Sequence, residues 1–276
     1  MKFALLCSGS KGNSFYIENE GTKILIDCGS TKKYLMSSLD KLGVAIEDLD
    51  ALLITHDHSD HISQIRFFES VPIYSPVEIE GIESFYVRPL QKFTVGSMMI
   101  TPLPLSHDAW NTMGYVVETG NEKLVYITDT GYINQKLEKY ISCADYYVME
   151  CNHDVDMLMR TSRPQYLKQR ICSDEGHLNN EDCGAALAQY MGKNTRVVFL
   201  AHISQQADTR EKALETVCRI LKESNRQFNE RLYIAAAGQF EMIWKGEDDE
   251  EIYPGSVYCT ADLEPCSDNN SRQSHQ

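Results

Sequence analysis

Short apolar runs separated by turn residues make up the beginning of the chain. Phe3–Leu6, Phe15–Glu18 and Lys23–Ile26 are such runs, and segments containing Gly and Asn lie between them. Runs of this length bounded by turn residues are typical of β-strands joined by tight turns. We therefore expect the chain to begin with antiparallel strands.

Helices and further strands alternate along the rest of the chain. Leu35, Leu39 and Leu42 recur at helical spacing before Gly43, and the stretches at about 181–191 and 209–223 show helical periodicity as well. Apolar runs that predict strands occur at Ala51–Thr55, Val71–Tyr74, Met98–Leu105, Tyr115–Glu118, Leu124–Thr128, Tyr146–Glu150, Val197–Leu200 and Leu232–Ala236. This alternation predicts an α/β fold.

The chain shows no sign of division before its C-terminal part. No internal repeat and no Pro- or Ser-rich linker occurs before about residue 246. Consecutive acids then follow at Glu247–Glu251, a pattern typical of a solvated linker. We predict one catalytic domain over residues 1–255 and a polar, flexible C-terminal tail over residues 256–276.

Charge and cysteine content limit the partners and the compartment. The 276 residues carry a formal net charge of −14, so contacts with a polyanion must be local or supplied by metal ions. The nine cysteines are scattered without a Cys-x-x-Cys pair, which favours a reducing cytoplasm. The apolar N-terminal stretch is too short for a signal core, and no apolar run approaches the length of a membrane span.

Potential metal ligands are concentrated in Thr55-His56-Asp57-His58-Ser59-Asp60-His61, directly after an apolar strand. His56 and His58, two residues apart in an extended chain, can project to the same side and hold one ion, and Asp60 and His61 can hold another. Imidazole and carboxylate ligands suit zinc, and also manganese or iron. The cluster predicts two divalent metal ions, with zinc or manganese as the candidates.

Three later strands also end at a candidate ligand. His107, Asp129 and His202 each follow an apolar run. One such residue by itself is commonly structural, but two ions need more ligands than the first cluster supplies. Taken together, these residues predict a metal centre built at strand ends.

The sequence resembles the metallo-β-lactamase-fold superfamily over about residues 1 to 245, and the His56–His61 cluster is the most specific element of the match. The resemblance implies a four-layer αββα sandwich with the metals at one edge of its two sheets. It also implies a part for each matching residue: His56, His58 and His107 bind one ion, Asp60, His61 and His202 bind the other, Asp129 bridges them, and Asp27 supports the site.

Two such ions point to hydrolysis, because they lower the pKa of a bridging water and stabilise the attacking and leaving oxygens. Asp60 is the candidate for accepting the proton of this water, in addition to its part as a ligand. An alkoxide leaving group also needs a general acid, for which we predict His177 with Glu150 as its carboxylate partner. The pair resembles the Glu and Gly-His elements of the ribonuclease Z branch. The alternative is that both side chains only cap helices or make surface contacts.

Within the superfamily, the sequence resembles the YycJ/WalJ-type exonuclease group. The matching segments are Cys7–Ser14, Glu150–Asp154, Gly176–Asn180 and Ala201–Ser204. This resemblance implies a cytoplasmic 5′-to-3′ DNA exonuclease, with DNA rather than RNA as the nucleic acid. The segment between the matched Asp and the last matched His is too short for the inserted cap domain of RNase J, and the chain has no Gly/Pro-rich basic arm like that of ribonuclease Z.

Two further parts of the chain are predicted to contact the substrate near the metals. Ser8, Ser10 and Asn13 lie in a Gly/Ser loop whose amides and hydroxyls can cradle a phosphate, although a plain hairpin turn is an equal alternative. His153 is expected near the substrate, and packing behind the site is its alternative.

A basic segment is the predicted contact for the polyanion. Residues 160–170 include four cations and no acid, and we expect Arg160 and Arg163 to bind the nucleic acid. A solvated helix face is the alternative interpretation of the same segment.

A thioester or lactone hydrolase of glyoxalase II type is the alternative function. Such an enzyme would share the metal ligands but would not need Glu150 and His177, because a thiolate leaves without a general acid. Cleavage of nucleic acid against cleavage of thioesters separates the two functions.

Overall fold

The strands form two mixed β-sheets. The structure, a computed structural model, describes residues 1–246, 252–253 and 257–267. Its strands, in chain order, are β1 (Lys2–Cys7), β2 (Ser14–Asn19), β3 (Thr22–Ile26), β4 (Ala51–Leu53), β5 (Ile73–Ser75), β6 (Phe85–Tyr86), β7 (Phe93–Val95), β8 (Met98–Pro104), β9 (Met113–Glu118), β10 (Lys123–Ile127), β11 (Tyr146–Glu150), β12 (Val197–Ala201), β13 (Tyr233–Ala236), β14 (Ile243–Lys245), β15 (Ile252–Tyr253), β16 (Val257–Cys259) and β17 (Pro265–Ser267). The first sheet has the order β15-β14-β1-β2-β3-β4-β5-β6, and the second has the order β17-β16-β13-β12-β11-β10-β9-β8-β7.

Helices connect the strands. The α-helices are α1 (Lys32–Lys41), α2 (Ser59–Ile62), α3 (Glu138–Ile141), α4 (Val155–Arg160), α5 (Gln165–Ile171), α6 (Asn180–Tyr190) and α7 (Arg210–Glu223), and short 3-10 helices span Ile46–Asp48, Ile65–Phe68 and Gln135–Leu137. In α7, Thr209 caps the N-terminus, and Leu214, Val217 and Leu221 recur at helical spacing on the buried face. None of the helices within the described residues has both the length and the apolar character needed to cross a bilayer.

The side chains of β12 show how the layers are arranged. Val197 and Phe199 belong to the core between the two sheets, whereas Val198 and Leu200 pack in a second core that includes the helices α6 and α7. Successive side chains of a strand point to opposite faces, so both faces of β12 are buried. A third core packs α1 against the outer face of the first sheet through residues such as Leu35. The order of layers is therefore α, β, β, α, which confirms the predicted sandwich.

The carboxyl ends of parallel strands bring the predicted site residues together. In the first sheet β3, β4 and β5 are parallel neighbours, and in the second β10, β11, β12 and β13 are. Glu150 ends β11, and Asp27 and His202 directly follow β3 and β12. Because the carboxyl ends of parallel strands lie at the same edge of a sheet, these side chains share one region.

The described residues near the C-terminus extend the second sheet. β16 pairs antiparallel with β13, and β17 pairs antiparallel with β16. This differs from the flexible tail predicted over residues 256–276, because Val257, Cys259 and Leu263 are buried in the core beneath α7. The acidic run Glu247–Glu251 and residues 268–276 lie outside the described residues, and the division into domain and tail stays a prediction.

Candidate metal centre

Two groups of ligand atoms meet where the strands of both sheets end. The first consists of His56, His58 and His107, and the second of Asp60, His61 and His202. Within each group, one ligand atom from every residue lies within 4.8 Å of the others. The structure thus brings together each of the two sets that the family resemblance implied.

Asp129 lies between the two groups. Its Oδ2 atom is 3.2 Å from Nε2 of His61, and its Oδ1 atom is 3.5 Å from Nε2 of His202 and 3.9 Å from Nε2 of His107. Burial by itself would raise the pKa of Asp129, but His202 and His61 hold this pKa well below its ordinary value. The carboxylate is therefore ionised and faces both sets of imidazoles.

Three residues of the centre adopt a left-handed backbone conformation where their strands end. The φ angles are 59° at Asp27, 57° at Asp129 and 57° at His202. Asp and His enter this region more readily than most residues, but it still costs of order 1–3 kcal/mol for a residue other than glycine. A left-handed residue thus recurs within two residues of the carboxyl ends of β3, β10 and β12, where the chain brings a polar side chain to the centre.

Asp27 holds His61 in place from behind. Its carboxylate accepts hydrogen bonds from Thr55 N at 2.9 Å, from Thr55 Oγ1 at 2.8 Å and from His61 Nδ1 at 2.7 Å. With Nδ1 engaged in this way, Nε2 is the nitrogen of His61 that faces Asp129. A carboxylate behind an imidazole is a common means of fixing the tautomer and orientation of a metal ligand.

Glu150 supports two histidines at once. Its Oε1 atom accepts hydrogen bonds from Nδ1 of His177 at 2.7 Å and from Nδ1 of His202 at 3.0 Å, and its Oε2 atom accepts one from Thr130 N at 2.7 Å. Burial would raise the pKa of Glu150, but the interactions with His177 and His202 lower it to about 2. Glu150 is completely buried, so its contact with His177 is not a surface contact.

The loop that precedes His177 also orients His107. Nδ1 of His107 donates to the carbonyl oxygen of Gly176 at 3.1 Å, which directs Nε2 toward Asp129. A Cβ atom at Gly176 would lie 2.2 Å from the carbonyl oxygen of Ile171, so only glycine fits there without a shift of the backbone. This close packing fixes the loop against the end of α5, and the hydrogen bond to His107 joins it to the ligands.

Unpaired ligand atoms at the centre fit divalent cations. Among the described residues, Nε2 of His56, Nε2 of His202 and Oδ2 of Asp129 are buried without a hydrogen-bond partner. An unsatisfied buried polar atom costs about 1–3 kcal/mol, and more when it is charged. Imidazole nitrogens and carboxylate oxygens are suitable ligands for zinc or manganese, so the donor set matches the predicted metals.

The predicted Gly/Ser loop packs against the ligands. Ser8 is buried, and its Oγ atom accepts a hydrogen bond from the backbone N–H of His202 at 2.7 Å. Asn13 is buried too, with Nδ2 at 2.9 Å from Nε2 of His61 and donating to Oδ2 of Asp60 at 3.3 Å. Ser10 is exposed. Two of these three side chains therefore contact ligand residues instead of forming an open cradle.

The other predicted substrate contacts follow β11 in the chain. His153 is buried, and its Nε2 atom lies 3.8 Å from Sγ of Cys172. Arg160 is exposed at the end of α4, and Nε of Arg163 donates to Oε1 of Gln206 at 3.0 Å. The parts predicted for these three residues in substrate binding stay predictions.

Two supporting residues were missed in the sequence. Thr55 contacts Asp27 through both its amide and its hydroxyl, and Asn152 donates from Nδ2 to the carbonyl oxygen of His202 at 2.7 Å. Both lie close to predicted site residues in the sequence: Thr55 precedes His56, and Asn152 lies two residues after Glu150. This proximity to the motif residues is the sequence feature that could have indicated their supporting contacts.

Comparisons with known proteins agree with this fold. A family model described as a β-lactamase superfamily domain matches residues 22–203. Exodeoxyribonuclease WalJ of Streptococcus pneumoniae is 33% identical over 240 residues, covering 81% of this chain and 89% of the relative. Exodeoxyribonuclease YycJ of Bacillus anthracis is 33% identical over 237 residues, covering 81% of this chain and 90% of the relative. The crystal structure of the metallo-β-lactamase fold protein YhfI from Bacillus subtilis superposes with a TM-score of 0.68 at 19% identity, covering 88% of this chain and 99% of YhfI.

Proposed function

The chain belongs to the β-lactamase superfamily, and on that premise we propose that this hydrolase is an exodeoxyribonuclease that degrades DNA in the 5′-to-3′ direction. Two relatives that match over most of the chain are named exodeoxyribonucleases, which supports DNA as the substrate. The direction rests on the resemblance of the sequence to that group.

The observation that supports phosphodiester cleavage is His177 held by the buried Glu150. An alkoxide leaving group needs a proton in the transition state, whereas a thiolate does not. Because Nδ1 of His177 is engaged by Glu150, Nε2 is the nitrogen that can transfer this proton. The side chain of His177 is 18% exposed, so a substrate can reach it. A thioester hydrolase would have no use for this pair.

We propose that the two ligand groups hold two divalent cations, zinc or manganese. The ligand sets are His56, His58 and His107 for one cation and Asp60, His61 and His202 for the other, with Asp129 shared between them. When bound, the cations supply a water of lowered pKa and positive charge for the oxygens of the phosphate.

The side chains then divide the proton transfers between them. Asp60 accepts the proton of the attacking water, and Asn13 fixes one of its carboxylate oxygens. His177 gives a proton to the leaving oxygen as the bond from phosphorus to that oxygen breaks. Glu150 remains ionised and keeps the ring of His177 oriented through both steps.

Contacts with the rest of the DNA belong to the exposed side chains. We assign these contacts to Ser10, Arg160 and Arg163, which are exposed or partly exposed. Ser8, Asn13 and His153, which are buried, act by holding the residues around the site in place.

Cleavage of end-labelled nucleic acid tests the proposal. DNA and RNA, single-stranded and duplex, are labelled at either the 5′ or the 3′ end and incubated with zinc-loaded or manganese-loaded protein. We expect DNA with a 5′ label to release that label first as a mononucleotide, and metal analysis to find two ions per chain. Rapid hydrolysis of thioesters by protein that leaves DNA and RNA intact would instead establish the glyoxalase II type of activity.

A further inference from the structure

We propose that Arg170, held in position by Asp108, binds a phosphate group of the substrate beside the His58 and His107 side of the centre. This inference rests on the proposed function and assigns a specific cation to the phosphate. Neither residue is among the predicted ligands, proton donors or substrate contacts.

The carboxylate of Asp108 lies between the imidazoles and the guanidinium. Its Oδ1 atom is 3.2 Å from Nε2 of His107 and 3.8 Å from Nε2 of His58, and its Oδ2 atom is 2.5 Å from Nη2 of Arg170. One short side chain therefore spans the gap between the ligand group and an arginine. The guanidinium is therefore linked to the ligand group through a single carboxylate.

The guanidinium of Arg170 has N–H donors in addition to the one paired with Asp108, and these can bind an anion. Its side chain is 52% exposed, and among the described residues Asp108 is the one carboxylate within ion-pair distance of it. A guanidinium has five N–H donors in a planar fork that matches phosphate oxygens. Asp108 restricts a long and otherwise mobile side chain, which reduces the entropy lost when the substrate binds.

The backbone of Arg170 is fixed to the loop that carries the proposed proton donor. Arg170 lies in the last turn of α5, and a Cβ atom at Gly176 would come within 2.3 Å of its carbonyl oxygen. The carbonyl oxygen of the next residue, Ile171, accepts a hydrogen bond from the backbone N–H of His177 at 2.9 Å. The backbones of Arg170 and His177 are thus joined in one closely packed segment.

Two other cations of residues 160–170 are placed differently. Lys168 is buried, and its Nζ atom donates to the carbonyl oxygens of Met159 at 2.7 Å and Thr161 at 2.8 Å. Arg163 is engaged with Gln206. On a chain with a net charge of −14, contacts with phosphate are local or supplied by the metals, and Arg170 is the cation of this segment that pairs with a neighbour of the ligands.

Substitution of Arg170 and Asp108 tests the inference on metal-loaded, full-length protein. Arg170→Ala, Arg170→Lys and Asp108→Asn are compared with Arg219→Ala, because Arg219 is an arginine of similar exposure, 47%, that pairs with Glu181 and Glu223 on the outer helices. The measurements are metal content, KM and kcat for single-stranded DNA at several salt concentrations, and binding of inorganic phosphate by calorimetry.

We expect Arg170→Ala to keep both metals while KM for DNA and the Kd of phosphate rise roughly tenfold or more. The slope of log KM against log salt should fall by about one, a change that a merely structural role would not produce. Asp108→Asn should weaken binding several-fold with the salt slope retained, since it acts through Arg170. Arg170→Lys should restore only part of the affinity, because an ammonium group cannot bind a phosphate in a bidentate manner. Arg219→Ala should match the unmodified protein.

The outcomes separate the two proposals. If the unmodified protein cleaves DNA while Arg170→Ala and Arg170→Lys both retain its KM, salt slope and phosphate Kd, the inference is wrong and the proposed function stands. If the unmodified protein cleaves no nucleic acid, the proposed function is wrong, and the calorimetric Kd of phosphate still decides whether Arg170 binds the anion.

Discussion

Nδ1 of His177 donates a 2.7 Å hydrogen bond to Oε1 of Glu150. Glu150 is completely buried. This bond leaves Nε2 of His177 available for proton transfer, and the side chain of His177 is partly exposed. Because Oε1 also accepts from His202, a single carboxylate connects the proposed proton donor to a proposed metal ligand. Glu150 therefore contributes both to proton donation and to metal binding. Substitutions of His177 and of Glu150 should distinguish these two contributions.

Replacing His177 should affect the chemical step and not metal binding. His177→Ala is expected to keep both metals and to lower kcat for DNA by roughly a hundredfold or more. A nucleotide ester with a p-nitrophenolate leaving group should lose much less activity, because this group departs without a proton. Metal analysis and the two values of kcat, measured on one preparation, check the prediction. An equal loss for both substrates would show that His177 is not the proton donor.

Replacing Glu150 should affect both parts of the site. Glu150→Gln alters the partner of His177 and also that of His202, so we expect lower activity together with a tenfold to hundredfold loss of affinity for metal. Competition with a chromophoric chelator measures the affinity. Full metal affinity with reduced activity would mean that the bond to His202 contributes nothing to the ligand set.

Much of the fold and the ligand set could be predicted from local patterns. The apolar runs predicted the strands before Asp27, His56, Asp129 and His202. Such strands can be recognised because their burial pattern is visible in a short run of adjacent residues. Short strands such as β6 lack this signal, and so do the strands formed by Val257–Cys259 and Pro265–Ser267. Their polar surroundings suggested a tail, whereas pairing with a distant strand decides their structure.

The supporting contacts could not be predicted for a related reason. Ser8 and His202 are 194 residues apart in the sequence, yet the hydroxyl of Ser8 accepts a hydrogen bond from the backbone N–H of His202. Similarly, the motifs predicted one imidazole partner for Glu150, His177, whereas the structure shows two, His177 and His202. Contacts of this kind depend on how the two sheets are packed, and no spacing within either segment encodes them.

Ser8 and Ser10 provide a matched pair for testing that contact. Ser8→Ala removes the acceptor of the His202 N–H and leaves this buried donor unsatisfied, so it should lower the free energy of unfolding by about 1–3 kcal/mol. Ser10→Ala, in the same loop but exposed, should change the free energy by less than about 0.5 kcal/mol. Urea unfolding of metal-free protein measures both values. Equal stabilities of the two variants would contradict the part assigned to Ser8.

Asp208 should make stability depend on pH. Burial raises the pKa of this carboxyl from 3.8 to about 7, so its folded-state pKa lies above its unfolded value. The folded state is therefore favoured while Asp208 is protonated, and this contribution is fully present below about pH 4 and is lost as the pH rises through 7. Asp208→Asn removes the ionisation while its amide oxygen can still accept the hydrogen bond that Thr209 N donates at 2.8 Å.

The Asp208→Asn variant should therefore gain stability over the unmodified protein only at higher pH. We expect a gain of about 2–4 kcal/mol in the free energy of unfolding at pH 8.5 and almost none at pH 4. Urea unfolding of both metal-free proteins across this range measures the difference, in which the titration of the histidines common to both proteins cancels. A difference that stays constant with pH would show that Asp208 ionises in the folded protein as it does in the unfolded chain.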